Sequence, residues 1–227
     1  MSYIPSPPSI TYDDLLMQYA CGALDDGLAL IVASHLCLSQ TARMVVAQYE
    51  CVGGALIEKN CQPVAMGESS LKSVLEKLNC PNSKKSCTAK KDTVPAPHNL
   101  PLPQPLCRHL STLPAMRRSW HFIAPGISFM RLPLNVPDRH AALLRAKPGA
   151  RAPHHEHKGL EITLVLHGHL HDDGMVYGPG DMIVMETHTS HHPVADPNHG
   201  CLCFVMSGAP RAGRHPLHNL LSRLLGR

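Results

Sequence analysis

The 227-residue chain is 44% hydrophobic and 17% charged, enough apolar material for one large or two small packed domains. Aromatic residues make up only 4%, which argues against stacking platforms for single-stranded nucleic acid. The net charge of +4 is uneven: residues 1–79 hold 8 acidic and 4 basic side chains and the remainder 9 acidic and 17 basic, and an acidic N-terminal half suits a basic protein partner better than a phosphate backbone.

Residues 1–10 are rich in Pro and Ser and predict a frayed terminus. Thr11 is placed to cap a first helix carrying Leu15, Leu16 and Tyr19, with Asp13 and Asp14 in its first turn and Gly22 at its end. Asp25-Asp26 open a second helix, GLALIVASHL, which is apolar nearly all round and is predicted to lie buried in a bundle. Ser39-Gln40 start a third, with Met44, Val45, Gln48 and Val52 three or four apart, and Gly53-Gly54 is predicted to loosen or kink it. Ser69-Ser70 lead into a fourth carrying Leu71, Val74, Leu75 and Leu78. The four predict a compact helical module over residues 1–79, with Leu15, Leu16, Met44, Val45, Leu71 and Leu75 packing on the second helix.

From Cys80 to Pro105 prolines and lysines replace hydrophobic periodicity, so residues 80–105 read as a linker between halves that can each fold alone. No apolar run reaches the length of a spanning helix, and the N-terminus lacks the basic and apolar regions of a signal peptide. The nine cysteines form no C-x-x-C pair, which predicts reduced thiols and a cytoplasmic protein.

Residues 106–227 read as short strands separated by turns: 119–124 and 127–134 around Pro125-Gly126, 140–146 up to Pro148-Gly149, and several more to residue 208. Regular turns between strands predict a β-barrel or jelly roll. A final segment places Leu217, Leu220, Leu221 and Leu224 on one helical face and is expected to cap it. Inside this region, residues 149–168 hold His155, His157 and Glu161 between two glycines. Alternation along a strand turns His155 and His157 to the same face. Two imidazoles and a carboxylate facing inward are a metal-ligand set. A fourth ligand, His191, follows the turn at 179–181. Three neutral imidazoles and one carboxylate leave a divalent ion with net positive charge, a Lewis-acidic centre. His167, His169 and His171 continue a row beyond Glu161 and are candidates for the barrel mouth.

The pattern G-x5-H-x-H-x3-E-x6-G, filled at Gly149, His155, His157, Glu161 and Gly168, resembles the first motif of the cupin family. The resemblance implies a small barrel with His155, His157, Glu161 and His191 holding one divalent metal, taken here as zinc. In the N-terminal half, LMQYACGAL, LIVASHL and VGGALIE resemble the anti-sigma domain of ChrR-type zinc anti-sigma factors, in which a helical domain precedes a cupin domain. Both halves match in the same order. The resemblance implies a two-domain fold, α plus all-β: a four-helix anti-sigma-like module, then a cupin jelly roll. It implies that residues 1–79 bind a group IV, extracytoplasmic-function type sigma factor and keep it from RNA polymerase. It further implies that the cupin domain is needed for a response to singlet oxygen or organic hydroperoxide.

The chain departs from that family at the N-terminal zinc motif, H-x3-C-x2-C. His35 matches the histidine, but Ser39 and Ala42 stand at the cysteine positions, and the upstream histidine position falls near Ser9 or Ile10. The N-terminal zinc is therefore read as absent and His35 as a hydrogen-bonded core histidine at a vestigial position. A second function class is a cupin dioxygenase or hydrolase using iron at the same four ligands. The helical half favours a regulator over an enzyme, with no direct contact to nucleic acid or membrane.

Overall fold

The computed structural model describes residues 10–67, 69–79, 102–114, 118–134, 136, 139–152, 155–156, 159–185 and 190–208. The readings made for residues 1–9, for most of the linker, for His157 and for the terminal Leu-rich segment lie outside the described residues.

The first three helices begin on the residues that capping chemistry selects. At α1 (Tyr12–Ala20) the Thr11 hydroxyl accepts the Asp14 N–H at 3.1 Å, and the Asp14 carboxylate accepts the Thr11 N–H at 2.9 Å. At α2 (Asp26–Leu38) the Asp25 carboxylate accepts the Gly27 and Leu28 N–H groups at 3.1 and 2.9 Å. At α3 (Gln40–Asn60) the Ser39 hydroxyl accepts the Ala42 N–H at 3.2 Å. Helix α4 spans Ser70–Asn79, and a fifth, α5, spans Gln104–Thr112. The Pro-rich run before α5 hid it. Yet Pro105 falls in its first turn, where the N–H it lacks has no intrahelical partner to lose.

Helix α3 runs as one continuous helix through Gly53-Gly54. One expectation about the helices is corrected: the module is not closed on itself. Leu15, Leu16 and Val45 do pack in the α2 core, with Ala42 and Val46. Met44, Leu71 and Leu75, expected there too, are exposed: Met44 lies on the side of α3 away from Ala42, Val45 and Val46, and α4 leaves the packed body. The remaining apolar sides of α2 are covered by α5, through Leu106 and Leu110, and by the β-sheet.

The strands are β1 (His121–Ala124), β2 (Ile127–Leu132), β3 (Arg139–Ala146), β4 (His155–Glu156), β5 (Glu161–Gly168), β6 (Leu170–Asp172), β7 (Met175–Tyr177), β8 (Met182–Met185), β9 (Ser190–His191), β10 (Val194–Ala195) and β11 (Cys201–Gly208). A six-stranded antiparallel sheet has the order β1-β2-β3-β11-β5-β8, opposed by a three-stranded sheet β10-β6-β7 and a two-stranded ribbon β4-β9. Central β11 shows why its sequence, CLCFVM, does not alternate. Leu202, Phe204 and Met206 join the helix core with Met130, Leu132, Leu143, Ile162 and Leu164. Cys201, Cys203 and Val205 face the sandwich interior with Ile127, Val165 and Ile183. Both faces are covered, so both parities are apolar. The motif glycine Gly168, at φ +69°, lies where a Cβ would come 2.0 Å from the Gly200 carbonyl oxygen, so only glycine closes this strand end.

Helices and sheet thus share one core. Gly27 lets α2 approach so closely that a Cβ there would stand 2.8 Å from the Met206 methyl. An Arg139–Asp25 ion pair at 2.9 Å ties β3 to the α2 cap beside it.

Candidate metal centre and partner-binding helices

Three of the expected ligand positions, 155, 161 and 191, fall on described strands. The β4-β9 ribbon sets His155 directly opposite His191 in register. Glu161 heads β5, is buried, and pairs across to Met185 and Ser207. The side chains of His155 and His191, and all of His157, lie outside the described residues. The donor set suits a divalent ion: the β4-β9 pairing brings two histidine backbones together, and Glu161 is a buried carboxylate at the head of β5. His167 and His169 are exposed, and His171 sits 3.7 Å from the Asp196 carboxylate at the opposite sheet.

Cys201 and Cys203 fill the interior wall beside this site. Both are buried on β11. A hydrogen bond from the Cys203 thiol lowers Cys201, while that same bond, burial and the nearby Glu161 charge push Cys203 well above its ordinary value. The pair packs as small apolar side chains.

His35 is buried in α2, and its Nε2 lies 2.8 Å from the Tyr12 hydroxyl, with the two rings edge to face. The described cysteines of the helical half, Cys21, Cys37, Cys51 and Cys61, are all exposed. Among the described side chains no group of three His, Cys, Asp or Glu comes together as a metal site. Burial lowers the His35 imidazole, opposed in part by the Gly180 backbone and the Asp181 carboxylate. Burial also lowers His109 and His140, the latter helped by Arg131.

The unfolded chain takes up protons on these histidines first, so stability rises with pH up to about 6.5 and is fully present above it. The denaturation midpoint is expected to fall between about pH 7 and 5, and to fall less in His35→Gln. A second, separate loss is expected as pH drops from about 4 toward 2, where Asp196 titrates. Its carboxylate is held down to about 2 by the backbone N–H groups of His199 and Asn198. A flat midpoint between pH 7 and 5 would contradict the buried neutral histidines.

The helical half offers a second feature. Val52, Leu56 and Ile57 on α3, Val64 and Met66 after it, and Leu71, Val74, Leu75 and Leu78 on α4 are all exposed. On α4 the four recur at i, i+3, i+4 and i+7, an exposed amphipathic stripe.

A helical module that shares its core with a β-sandwich and exposes an apolar flank among the described residues defines the class: a two-part protein of helices joined to a cupin-like domain. A family model described as the ChrR cupin-like domain matches residues 112–211. The anti-sigma-E factor ChrR of Cereibacter sphaeroides is 33% identical over 198 residues, 87% of this chain and 88% of that protein. The crystal structure of Rhodobacter sphaeroides SigE in complex with the anti-sigma ChrR is similar at a TM-score of 0.65 and 30% identity, covering 88% of this chain and 98% of that one. The chain belongs to the ChrR family of anti-sigma factors.

Proposed function

We propose that this protein sequesters an extracytoplasmic-function type sigma factor through residues 1–79 and releases it on oxidative stress sensed through a metal in the cupin domain. The observation that carries the binding part is the uncovered apolar flank of α3 and α4. The relative named above is an anti-sigma factor, and a similar protein is seen in complex with SigE. An acidic N-terminal half adds charge suited to a basic partner.

His155, His157, Glu161 and His191 would hold one divalent ion, zinc. Bound there, zinc would supply a Lewis-acidic centre without redox chemistry of its own. Glu161 contributes the single carboxylate, and the apolar wall of Val165, Cys201 and Cys203 keeps its surroundings dry. The helical half carries no second zinc in this reading, because His35 Nε2 is taken by Tyr12. The protein acts in the cytoplasm as a regulator and not as an enzyme, and it touches neither nucleic acid nor membrane. Among the described residues no single helix is long and apolar enough to cross a bilayer.

Isolation of the complex tests this. The full chain co-expressed with such a sigma factor should co-elute as a stoichiometric pair containing one metal per chain. His155→Ala with His157→Ala should remove that metal. Failure to co-elute would sink the sigma reading, and two metals with one surviving the double change would restore an N-terminal zinc.

A further inference from the structure

Four strands of the large sheet each turn one face to the helices. Met130 and Leu132 on β2, Ala141 and Leu143 on β3, Phe204 and Met206 on β11, and Ile162 and Leu164 on β5 all belong to the helix core. Alternation therefore turns Arg131 on β2, His140 and Ala142 on β3, Val205 and Ser207 on β11, and Glu161 on β5 to the sandwich side. The register sets them in two adjacent rows. Arg131 pairs with Ala142 and Ala142 with Val205, while His140 pairs with Ser207 and Ser207 with Glu161. Because neighbouring strands are antiparallel, both rows lie at one end of the sheet.

The sandwich face changes in chemistry and burial toward that end. At the far end Ile127, Val165, Cys201 and Cys203 form a closed apolar cluster. Cys203 is 1% exposed, whereas Val205 and Ser207, further along the same face of β11, are half-buried. Phe129 is 3% exposed, whereas Arg131, next on the same face of β2, is half-buried. The sandwich thus opens at this end onto a polar mouth. Its floor is lowest in the middle, where Ala142 and Ser207, both small, stand between Arg131 and Glu161.

The mouth offers a fixed cation and neutral donors. His140 is held neutral, since burial and then the Arg131 charge lower its imidazole. A guanidinium has five N–H donors in a planar fork, so Arg131 can serve an incoming carboxylate together with contacts inside the protein. Ser207 adds a hydroxyl, and Ala142 and Val205 give an apolar surface for a short hydrocarbon body. A phosphate has more charge and no apolar part, and a single arginine suits it less well. We infer that the mouth of the sandwich binds a small organic carboxylate, gripped by Arg131 with His140 and Ser207 beside it. The site is separate from the proposed metal ligands: Arg131 and Glu161 are three strand spacings apart across the sheet, about 14 Å. It goes beyond the proposed function and requires neither the metal nor the sigma factor.

Titration of sodium butyrate into the full chain at constant ionic strength tests it, with the amide shifts of residues 140–143 and 203–207 as the readout. The shifts should saturate with a dissociation constant on the order of 1 mM, as befits so small a ligand. Butyramide keeps the size and loses the charge, so it should bind at least tenfold more weakly. Arg131→Gln should weaken butyrate at least tenfold, and Arg131→Lys, which keeps the charge but not the fork, should fall between. Arg151→Gln removes one charge at an exposed position on another strand segment and should leave the affinity unchanged. The amide spectra report the fold of each variant, and the butyramide comparison needs no variant. Shifts that fail to saturate, equal affinity for butyrate and butyramide, undiminished binding in Arg131→Gln, or an equal loss in Arg151→Gln would each overturn the site. The metal content of the same samples is read separately, so failure of the carboxylate site and failure of the metal reading remain distinct.

Discussion

Replacing Leu71 and Leu75 together by aspartate is expected to weaken capture of the sigma factor at least a hundredfold while leaving the fold intact. The two side chains are 68% and 48% exposed and lie one turn apart on the α4 stripe, so no core contact is lost when they change. If a partner covers them, each contributes on the order of 1.5–3 kcal/mol of apolar burial. Two aspartates forfeit that and place unpaired charge in a drying interface. A loss of about 3–6 kcal/mol corresponds to two to four decades of affinity. The measurement is a titration of purified sigma factor, with circular dichroism and the melting midpoint as fold controls. Wild-type affinity in the double variant would remove α4 from the interface. A collapsed melt would mean that α4 packs on the body after all.

The second large effect is expected on separating the halves. Residues 1–79 taken alone lose the sheet residues Met130, Leu143, Phe204 and Met206, and Leu106 and Leu110 of α5, all of which share a core with α1 and α2. Uncovering two or three Leu-sized side chains of α2 costs roughly 3–9 kcal/mol, comparable with the whole stability of a small domain. The isolated helices are therefore expected to show reduced helicity, a broad melt and dye-accessible apolar surface. Added sigma factor should restore helicity, because a partner covers part of what the sheet no longer does. A sharp melt at the full-length midpoint would show that the α2–sheet contacts contribute little.

Much of this protein was legible in its residues because the signals are local. Thr11, Asp25 and Ser39 announce helix starts through hydrogen bonds spanning two or three residues, and each is made. The jelly-roll strands follow from turn glycines and apolar runs, and the 149–168 motif marks its own strands through fixed spacing. Helix α5 escaped because prolines that begin a helix and prolines that fill a linker look alike without a packing partner. The all-round apolarity of α2 said that it would be buried, but not by what. Periodicity offered α1, α3 and α4; in the structure α1 and α3 do pack on it, but α5 and the outer face of the six-stranded sheet take the place of α4. Periodicity states that a face needs cover, and any apolar face can supply it. Which one does is decided by where the chain returns in three dimensions. The same reason separates the two histidine questions. The spacing of His155, His157 and Glu161 carries its meaning within one stretch. The place of His35, against the Tyr12 hydroxyl of another helix, exists only once α1 and α2 have packed together.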